Sequence, residues 1–322
     1  MRIGIDAMGG DYAPLEAIKG AVLAKAEFPA VELVMFGVQS DIENIAKQEN
    51  LDISNIELVH CSQVVEMSEH PVKALAGKRD SSISVGFEHL AEKKIDAFFS
   101  AGNTGAMLVG SIQILKPIEG VDRPCLTSAI PRPSGNHGIL LDVGANADCK
   151  PEHLQQFAIL GSLYAQSVKK IENPKVGLLN IGEEDEKGSI TSRAANQLLR
   201  NTPEVNFFGN VEGRDLFIDS TDVIVCDGFS GNIVIKLVEG FYYQLMKRGV
   251  QDDFLNQFNF KHHGGGLILG VKAPVLVGHG ISKADTFVKM VEVCKNSVES
   301  NFCAKVETAF QKIANQQNAS NS

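Results

Sequence analysis

The sequence lacks several features that mark common protein classes. No run of basic residues is longer than two and the formal net charge is −9, so no nucleic-acid partner is expected. None of the six cysteines forms a C-x-x-C pair, which favours reduced, mostly buried thiols in a cytoplasmic protein. The most apolar window, residues 97–115, is interrupted by polar residues and glycines and does not predict a membrane span. Residues 2–6 already read as a strand, so no signal peptide is expected.

Familiar cofactor and nucleophile motifs are also missing. The chain has no G-x-x-x-x-G-K-[ST], and the glycines of residues 264–270 have the wrong spacing for a dinucleotide fingerprint. There is no G-x-S-x-G nucleophile elbow. No H-x-x-x-H pair occurs among the eight histidines, which argues against a zinc site. We therefore expect no metal and no cofactor.

Short apolar runs alternate with amphipathic stretches along the 322 residues. This alternation predicts βαβ units: an α/β fold with a largely parallel sheet in a three-layer αβα arrangement. We expect one interlocked domain over residues 1–314, with a short protruding segment near 249–268 and a frayed polar tail at 315–322. Strands are expected at 2–6, 32–36, 56–59, 96–99, 138–143, 175–181 and 222–226, and helices at 14–28, 82–94, 151–170, 189–200, 231–248 and 283–314.

Turns rich in glycine, asparagine and aspartate follow five of the expected strands. In open α/β sheets the ligand crevice lies outside the carboxyl ends of the strands, where helix N-termini offer N–H groups to anions. Such turns together predict one composite site and an enzyme that acts on a phosphate-bearing species. They are residues 6–11, 100–105, 141–146, 180–188 and 226–232.

Each turn also has a purely structural interpretation. Gly9-Gly10 either lets the backbone approach a ligand or forms a tight turn capped by Asp11. Asn103 and Thr104 either hold an anion or cap a helix. Lys187 either grips a phosphoryl oxygen or pairs with the surrounding carboxylates on the surface.

Two further residues of the later turns are read in the same way. Asp142 ends a very apolar strand, so it is either an acid of the site or the partner of a basic group. Cys226 closes a buried strand beside Asp227, and a neighbouring negative charge raises the pKa of a thiol. We therefore interpret Cys226 as inert rather than as a nucleophile.

From residue 1 to about residue 310 the sequence resembles the bacterial acyl-[acyl-carrier-protein]:phosphate acyltransferases of phospholipid synthesis. The resemblance rests on seven ordered motifs: DAMGGD at 6–11, SAGNTGA at 100–106, VDRPCL at 121–126, LDVGANADCKPEHL at 141–154, LLNIGEEDEKG at 178–188, CDGFSGN at 226–232 and LGVKAPVLVGHG at 269–280.

The resemblance implies transfer of a long fatty acyl group from acyl carrier protein to inorganic phosphate, giving acyl phosphate. It also implies a fold like that of isopropylmalate dehydrogenase and phosphotransacetylase, a homodimer, and no nicotinamide. A glycerol-3-phosphate acyltransferase would act downstream. Phosphate is itself a ready nucleophile, so direct attack on the thioester needs positioning and charge neutralisation rather than a covalent acyl-enzyme.

Roles follow for the turn residues. Asn103, Thr104 and Asn232 would hold phosphate or the thioester oxygen, and Lys187 would neutralise the transferring charge. His279 either protonates the departing thiolate or is an ordinary turn histidine. The expected catalytic residues are Lys187, Asn103, Asn232, Asp227 and His279. The expected phosphate- or substrate-binding residues are Gly9, Gly10, Asp11, Gly102, Thr104, Gly105, Asp142, Asn146, Gly182, Ser230 and Gly231.

Carrier docking and membrane contact are predicted from charge. Acyl carrier proteins are acidic, so a local basic patch is needed. The expected docking residues are Lys78, Arg79 and Arg248, and the other candidates are Lys73, Arg123, Arg132 and Lys247. Relatives carry a longer apolar, basic hairpin where this chain has only residues 249–268. That short segment is acidic and has few large apolar groups, including Phe254 and Phe258. We expect a cytoplasmic protein, at most peripheral at the inner face of the membrane, with weak or indirect contact.

Two rival functions stay open. One is an oxidoreductase of the isopropylmalate dehydrogenase type, which would need an adenine-nucleotide site and a cluster of metal-binding aspartates. The other is an anion-binding scaffold that recruits lipid-synthesis partners, which would bind phosphate but release no acyl phosphate.

Overall fold

The computed structural model describes residues 1–259 and 263–320. The chain divides into two compact units. Unit 1 contains residues 1–117 and 263–300, and unit 2 contains residues 118–259 and 301–320. The single interlocked domain over residues 1–314 stays a prediction.

Both units are built from strands and helices in alternation. The strands are β1 (Arg2–Asp6), β2 (Glu32–Gly37), β3 (Ile56–His60), β4 (Ala97–Ser100), β5 (Cys125–Pro131), β6 (His137–Leu141), β7 (Lys175–Leu179), β8 (Asn206–Val211), β9 (Val223–Val225), β10 (Gly266–Leu269) and β11 (Val275–Val277). The helices are α1 (Leu15–Glu27), α2 (Gln39–Gln48), α3 (Pro71–Gly77), α4 (Ser82–Ala91), α5 (Thr104–Gly110), α6 (Pro151–Ser167), α7 (Ile190–Arg200), α8 (Gly228–Lys247), α9 (Asp253–Asn256), α10 (Ala284–Glu299) and α11 (Phe302–Ser320). A π-helical turn at Ser111–Leu115 extends α5, and a 3₁₀ turn lies at Gly213–Phe217.

The sheet of unit 1 has the strand order β3-β2-β1-β4-β11-β10. Every neighbouring pair in it is parallel except β10 and β11. Phe98 packs edge-to-face against Phe36 and against Phe87 of α4. Its neighbour Phe99 packs against Phe287 of α10. Because successive strand residues point to opposite faces, α4 and α10 cover the two faces of this sheet.

The sheet of unit 2 has the strand order β5-β6-β9-β7-β8. Only the β5–β6 pair in it is antiparallel. A Cβ on Gly161 of α6 would lie 3.0 Å from Leu141, so α6 packs closely on that side of β6. The adjacent Leu140 lies in a buried cluster against which Val234 and Ile235 of α8 pack. Helices therefore cover both faces here too, and the predicted α/β fold with largely parallel strands is confirmed.

The C-terminal region differs from the single helix predicted over residues 283–314. Two helices, α10 and α11, occupy it, and α10 has its C-cap at Ser300. Asn301 follows in the left-handed region with φ of 52°, a conformation that asparagine tolerates and that ends a helix. Helix α11 continues to Ser320, so most of the polar tail has helical backbone, while residues 321 and 322 lie outside the described residues.

The shortened segment near 249–268 contains helix α9 and the first residues of strand β10. Phe254 and Phe258 stack edge-to-face, and Phe258 packs against Phe217. Residues 266–268 belong to β10, and residues 260–262 lie outside the described part of the chain. The phenylalanines at 254 and 258 thus contribute to the packing of unit 2.

Candidate active site

Three turns of unit 1 follow the carboxyl ends of neighbouring parallel strands. Strands β1, β4 and β11 end at Asp6, Ser100 and Val277. The Gly278 N–H donates to the Ser100 carbonyl over 2.8 Å, and the Asp11 N–H donates to the Gly280 carbonyl over 2.7 Å. The turns at 7–14, 101–103 and 278–283 are thereby joined at one edge, as the strand–turn–helix pattern predicted for the first two.

Asp6 links the end of β1 to the end of β4 and to the turn that follows β1. Its fully buried carboxylate accepts hydrogen bonds from Ser100 Oγ at 2.6 Å and from the Met8 N–H at 3.0 Å. Burial raises the pKa of Asp6, while these hydrogen bonds oppose the rise. A Cβ on Gly9 would lie 2.5 Å from Asp6 Oδ2 and 2.7 Å from the Gly102 nitrogen. Gly9 therefore allows close packing between two turns, which the sequence had suggested as backbone approach to a ligand.

Asn103 is occupied by hydrogen bonds within unit 1. Its Oδ1 accepts from the Ala106 N–H at 3.0 Å, which caps α5. Its Nδ2 donates to the carbonyls of Glu66, Met67 and Glu69 at 3.0–3.3 Å. The side chain thus caps α5 and also fixes the neighbouring turn at residues 66–69.

Other side chains at the unit 1 edge face solvent. Asp11 and Thr104 are exposed, and His279 is half-buried. The Ile281 N–H donates to His279 Nδ1 over 3.4 Å. A carboxylate, a hydroxyl and an imidazole are thus presented together. Gly105 is not open to a ligand on its Cβ side, because that position would lie 2.9 Å from Pro71 Cγ.

In unit 2, Asp142 has the same bracing role. The buried carboxylate accepts from the backbone N–H groups of Leu126 at 2.9 Å, Ala145 at 3.2 Å and Asn146 at 2.6 Å. Asn146 Nδ2 donates to it at 2.9 Å and also to the Pro124 carbonyl at 2.8 Å. Burial raises the pKa of Asp142, and the donors oppose this. Asp142 and Asn146 therefore hold the 142–150 turn in shape.

Helix α8 begins directly beside this brace. Asp227 caps it by accepting from the Ser230 N–H at 2.7 Å and from Ser230 Oγ at 3.2 Å. A Cβ on Gly231 would lie only 1.9 Å from the Asp142 carbonyl oxygen, so a glycine is required at this crossing. Asn232 is exposed beside Gly144, and its amide has no hydrogen-bond partner in the described part of the chain. Asn232 is thus a free donor on the first turn of α8.

The acidic 180–188 turn leaves its lysine unpaired. Asp185 pairs with Arg200, and Glu183 pairs with Arg214 at 3.5 Å. Lys187 is exposed and forms no ion pair with any residue that the structure describes. The Asn180 amide holds the Lys187 carbonyl at 3.1 Å. The surface ion-pair interpretation of Lys187 is therefore not supported by its geometry.

Gly182 lies inside the same turn. A Cβ there would lie 2.9 Å from both Glu184 Oε2 and Lys187 Cγ. The buried glycine therefore lets the turn close on itself, with the lysine side chain lying over it.

Burial disfavours the thiolate form of the cysteines beside the unit 2 turns. Burial and the carboxylates of Asp227 and Asp142 raise the pKa of the Cys226 thiol well above its usual value. Burial likewise raises the pKa of Cys149 to about 12. Over residues 1–259 and 263–320 no cluster of histidine, cysteine and acidic side chains is arranged to hold a metal ion.

Two of the three predicted docking cations are free. Arg79 and Arg248 are exposed and have no ion-pair partner among the described residues. Lys78 is half-buried, and its Nζ binds Glu69 Oε2 at 2.6 Å and the Val64 carbonyl at 2.7 Å. Lys78 therefore holds the loop before α3.

The Asp6–Ser100 contact was missed as a pair, because its members are 94 residues apart in sequence. A signal for it existed: Asp6, like Asp142, ends an apolar strand and precedes a glycine turn. The same pattern identifies both buried braces.

Comparison with known proteins adds to this geometry. Residues 1–305 match the family model described as "Fatty acid synthesis protein". A protein named phosphate acyltransferase from Dictyoglomus turgidum is 40% identical over 332 residues, covering 97% of this chain and 98% of that protein. One of the same name from Syntrophomonas wolfei is 40% identical over 319 residues, covering 98% and 100%.

A solved phosphotransacetylase from Streptococcus pyogenes has a TM-score of 0.66 at 17% identity, covering 92% of this chain and 94% of that one. At this identity the likeness concerns the fold alone. It confirms the predicted phosphotransacetylase-like fold.

Proposed function

The chain belongs to this fatty acid synthesis family and is an acyltransferase of the phosphate acyltransferase type, and we propose that its acyl donor is acyl carrier protein. A long-chain fatty acyl group passes from the carrier thioester to inorganic phosphate. The products are acyl phosphate, a precursor for glycerophospholipid synthesis, and free carrier protein. A glycerol-3-phosphate acyltransferase is the proposed consumer of the acyl phosphate.

The transfer proceeds without an acyl-enzyme. A phosphate oxygen attacks the thioester carbonyl carbon, the C–S bond breaks, and the pantetheine sulfur leaves as a thiolate that takes up a proton. Direct attack agrees with the raised thiol pKa values of the cysteines beside the unit 2 turns, which leave little thiolate near neutral pH. What the protein must supply is charge neutralisation and orientation.

The observation that carries the proposal is the unpaired ammonium of Lys187 in an otherwise acidic turn. We assign Lys187 to the phosphate, since a compact cation suits a phosphoryl oxygen. The free amide of Asn232 and the first turn of α8 add further donors. Asp142, Asn146 and Asp227 shape these turns without contacting the reacting atoms.

In unit 1, Thr104 and His279 are assigned to the thioester. His279 is assigned to the departing sulfur, to which its ring N–H donates a hydrogen bond until the thiolate takes up a proton from water, and Thr104 offers a hydroxyl. Asn103 and Asp6 fix the turns that carry these groups. Because the Asn103 amide nitrogen already donates to three backbone carbonyls, we assign Asn103 as a positioning residue.

Turnover tests the proposal against the scaffold alternative. Purified protein, palmitoyl-carrier thioester and inorganic phosphate are incubated with hydroxylamine, which traps acyl phosphate as the hydroxamate. Hydroxamate that appears only when phosphate is present, with one carrier thiol released per hydroxamate, is the expected result. Binding of phosphate without any hydroxamate would leave the scaffold as the better description.

Carrier docking is assigned to Arg79 and Arg248. Each has a free guanidinium that attracts an acidic partner. We expect Arg79→Glu and Arg248→Glu to raise the KM for acyl carrier protein by about tenfold, leave the KM for phosphate unchanged, and weaken the salt dependence of the KM. Steady-state kinetics between low and physiological salt measure this.

Matched controls are available in both units. Lys47 on α2 and Lys312 on α11 are exposed and unpaired among the described residues, so Lys47→Glu and Lys312→Glu make the same kind of charge reversal. An equal rise in KM for all four variants would show a net-charge effect and remove Arg79 and Arg248 as docking residues.

Helix α8 exposes an apolar stripe on the side away from its sheet. Phe229, Ile233, Leu237 and Phe241 are each between 47% and 69% exposed. The residues are spaced by four and so follow one face of the helix, while Val234 and Ile235 face the core. A helix that is apolar on two faces needs a second partner. We assign the stripe to a second copy of this chain, in a homodimer with an isologous contact.

The stripe assignment predicts that the wild type sediments as a dimer of the 34.7 kDa chain and that Leu237→Asp gives a monomer. Ile112→Asp, at a comparably exposed position on unit 1, should leave the dimer intact. The alternative is that the stripe binds membrane, which flotation with anionic vesicles tests. A monomeric wild type that co-floats with the vesicles, and loses this when Phe229 and Phe241 are changed to Ser, would make the stripe a membrane surface instead.

Membrane contact is proposed to be weak or indirect, and the proposed location is the cytoplasm, at most peripheral at the membrane. None of the helices in the described residues is long and apolar enough to cross a bilayer. Phe254 and Phe258 are half-buried, with Phe254 packed on Phe258 and Phe258 packed on Phe217. Asp252 and Asp253 would repel anionic lipid.

A further inference from the structure

Three apolar side chains remain partly exposed at the edge of unit 1. Tyr12 follows β1, Met67 precedes α3, and Ile281 follows β11, so they come from three distant segments. Their exposed fractions are 45%, 49% and 37%. None of them has a role in the chemistry described above.

Gly280 is the junction between these segments. The Asp11 N–H binds its carbonyl at 2.7 Å, and a Cβ on Gly280 would lie 3.1 Å from Met67 Cε and 3.1 Å from Asp11 Oδ1. Tyr12 and Ile281 are the chain neighbours of Asp11 and Gly280. Tyr12, Met67 and Ile281 therefore all belong to, or directly adjoin, the residues that meet at Gly280, and His279 is the other chain neighbour of Gly280.

Each segment of this junction is held in place. Asn103 Nδ2 donates to the carbonyl of Met67 and to those of Glu66 and Glu69 on either side of it. The Ile281 N–H binds His279 Nδ1, and Lys283 Nζ lies 5.4 Å from the centre of the Tyr12 ring. Exposed apolar groups on a fixed backbone form a ready surface for an apolar ligand, since little ordering cost is added on binding.

We propose that Tyr12, Met67 and Ile281, the apolar rim of unit 1, bind the carbons of the acyl chain nearest the thioester and so determine acyl-chain preference. This inference rests on the proposed function. The carboxylate of Asp11 beside the rim disfavours phosphate there. The unbranched, polarisable side chain of Met67 adapts to a flexible alkyl chain. The rim adjoins His279, which is assigned to the sulfur of the same thioester.

The exposure of the rim limits how well it can distinguish acyl chains of different length. Its three side chains are 37–49% exposed, so it favours added methylenes without excluding longer chains. Each methylene that becomes buried contributes up to about a fourfold gain in binding. The specificity constant should therefore rise with chain length over the short acyl groups and level off once the rim is covered.

The test is a chain-length series. The kcat/KM is measured for carrier thioesters from butyryl to palmitoyl with the wild type, Met67→Ser, Ile281→Ser and Met67→Leu. We expect the serine variants to lower the ratio of decanoyl to butyryl kcat/KM by about fivefold or more, with the KM for phosphate unchanged. Met67→Leu should retain the wild-type ratio. Leu23→Ser, at a 52% exposed position on α1, is the control and should also retain it.

The inference is overturned if the serine variants lower kcat/KM equally at every chain length or leave the ratio unchanged. If the wild type forms no acyl phosphate from any thioester, the proposed function fails instead. The rim is then judged by equilibrium binding of the same thioesters, where a dissociation constant that responds to chain length equally in wild type and Met67→Ser would exclude it.

Discussion

Lys187→Ala lowers the turnover of acyl phosphate by about 10²-fold or more, because it removes the cation proposed to neutralise the transferring charge. The loss should fall mainly on kcat, since the ammonium acts most strongly as charge moves in the transition state. Lys187 is exposed and unpaired among the described residues, so its removal should leave the unfolding transition unchanged. Steady-state kinetics and thermal unfolding of the same samples measure both.

Two further variants test whether the effect of Lys187→Ala depends on the position of the charge and on the shape of the cation. Lys312→Ala removes the same charge from an exposed site on α11 and should keep full activity. Lys187→Arg keeps the charge but not the compact ammonium and should lie between wild type and alanine. Near-normal turnover by Lys187→Ala would place this lysine among ordinary surface charges.

Asp142→Ala destabilises unit 2 by about 3 kcal/mol, since a buried donor that loses its acceptor costs roughly 1–3 kcal/mol and the part-buried donors of this carboxylate add less each. The Asp142 carboxylate is the acceptor for the N–H groups of Leu126, Ala145 and Asn146 and for the Asn146 amide. Urea unfolding of the variant measures the loss. Activity should disappear with the fold, because Asp142 also shapes the turn against which α8 packs.

Asp227→Ala is the matched comparison for Asp142. Asp227 is only partly buried and caps α8 through Ser230, and loss of such a cap costs about 0.5–2 kcal/mol. The two aspartates therefore separate a buried brace from a helix cap. Equal destabilisation by both substitutions would contradict the bracing role of Asp142.

The regular part of the fold was open to prediction from sequence. Short apolar runs located β1, β2 and β3 to within a residue or so. Strand β5 was missed because Thr127 and Ser128 interrupt its apolar pattern, and β8 because it begins with asparagine and contains a glycine. The break between α10 and α11 depends on one left-handed asparagine, which periodicity does not reveal.

For the candidate site, the sequence predicted where the turns lie more readily than which groups their side chains bind. Asn103 and Asn146 carry amides that suit an anion, but the structure shows those amides bound to backbone carbonyls contributed by other segments. The freedom of Lys187 depends on Arg200 and Arg214, which pair with its acidic neighbours from outside the turn. Such competition for partners is decided by tertiary contacts that spacing along the chain does not encode.

The most direct test of direct acyl transfer to phosphate follows the oxygen and the enzyme mass together. Wild-type protein is mixed with palmitoyl-carrier thioester and phosphate labelled with ¹⁸O on every oxygen, quenched within one turnover, and analysed by mass spectrometry. The account predicts that the acyl phosphate keeps every ¹⁸O atom of the phosphate and that the protein mass stays unchanged throughout. An intermediate in which the protein gains the mass of the acyl group, and forms without phosphate, would contradict it.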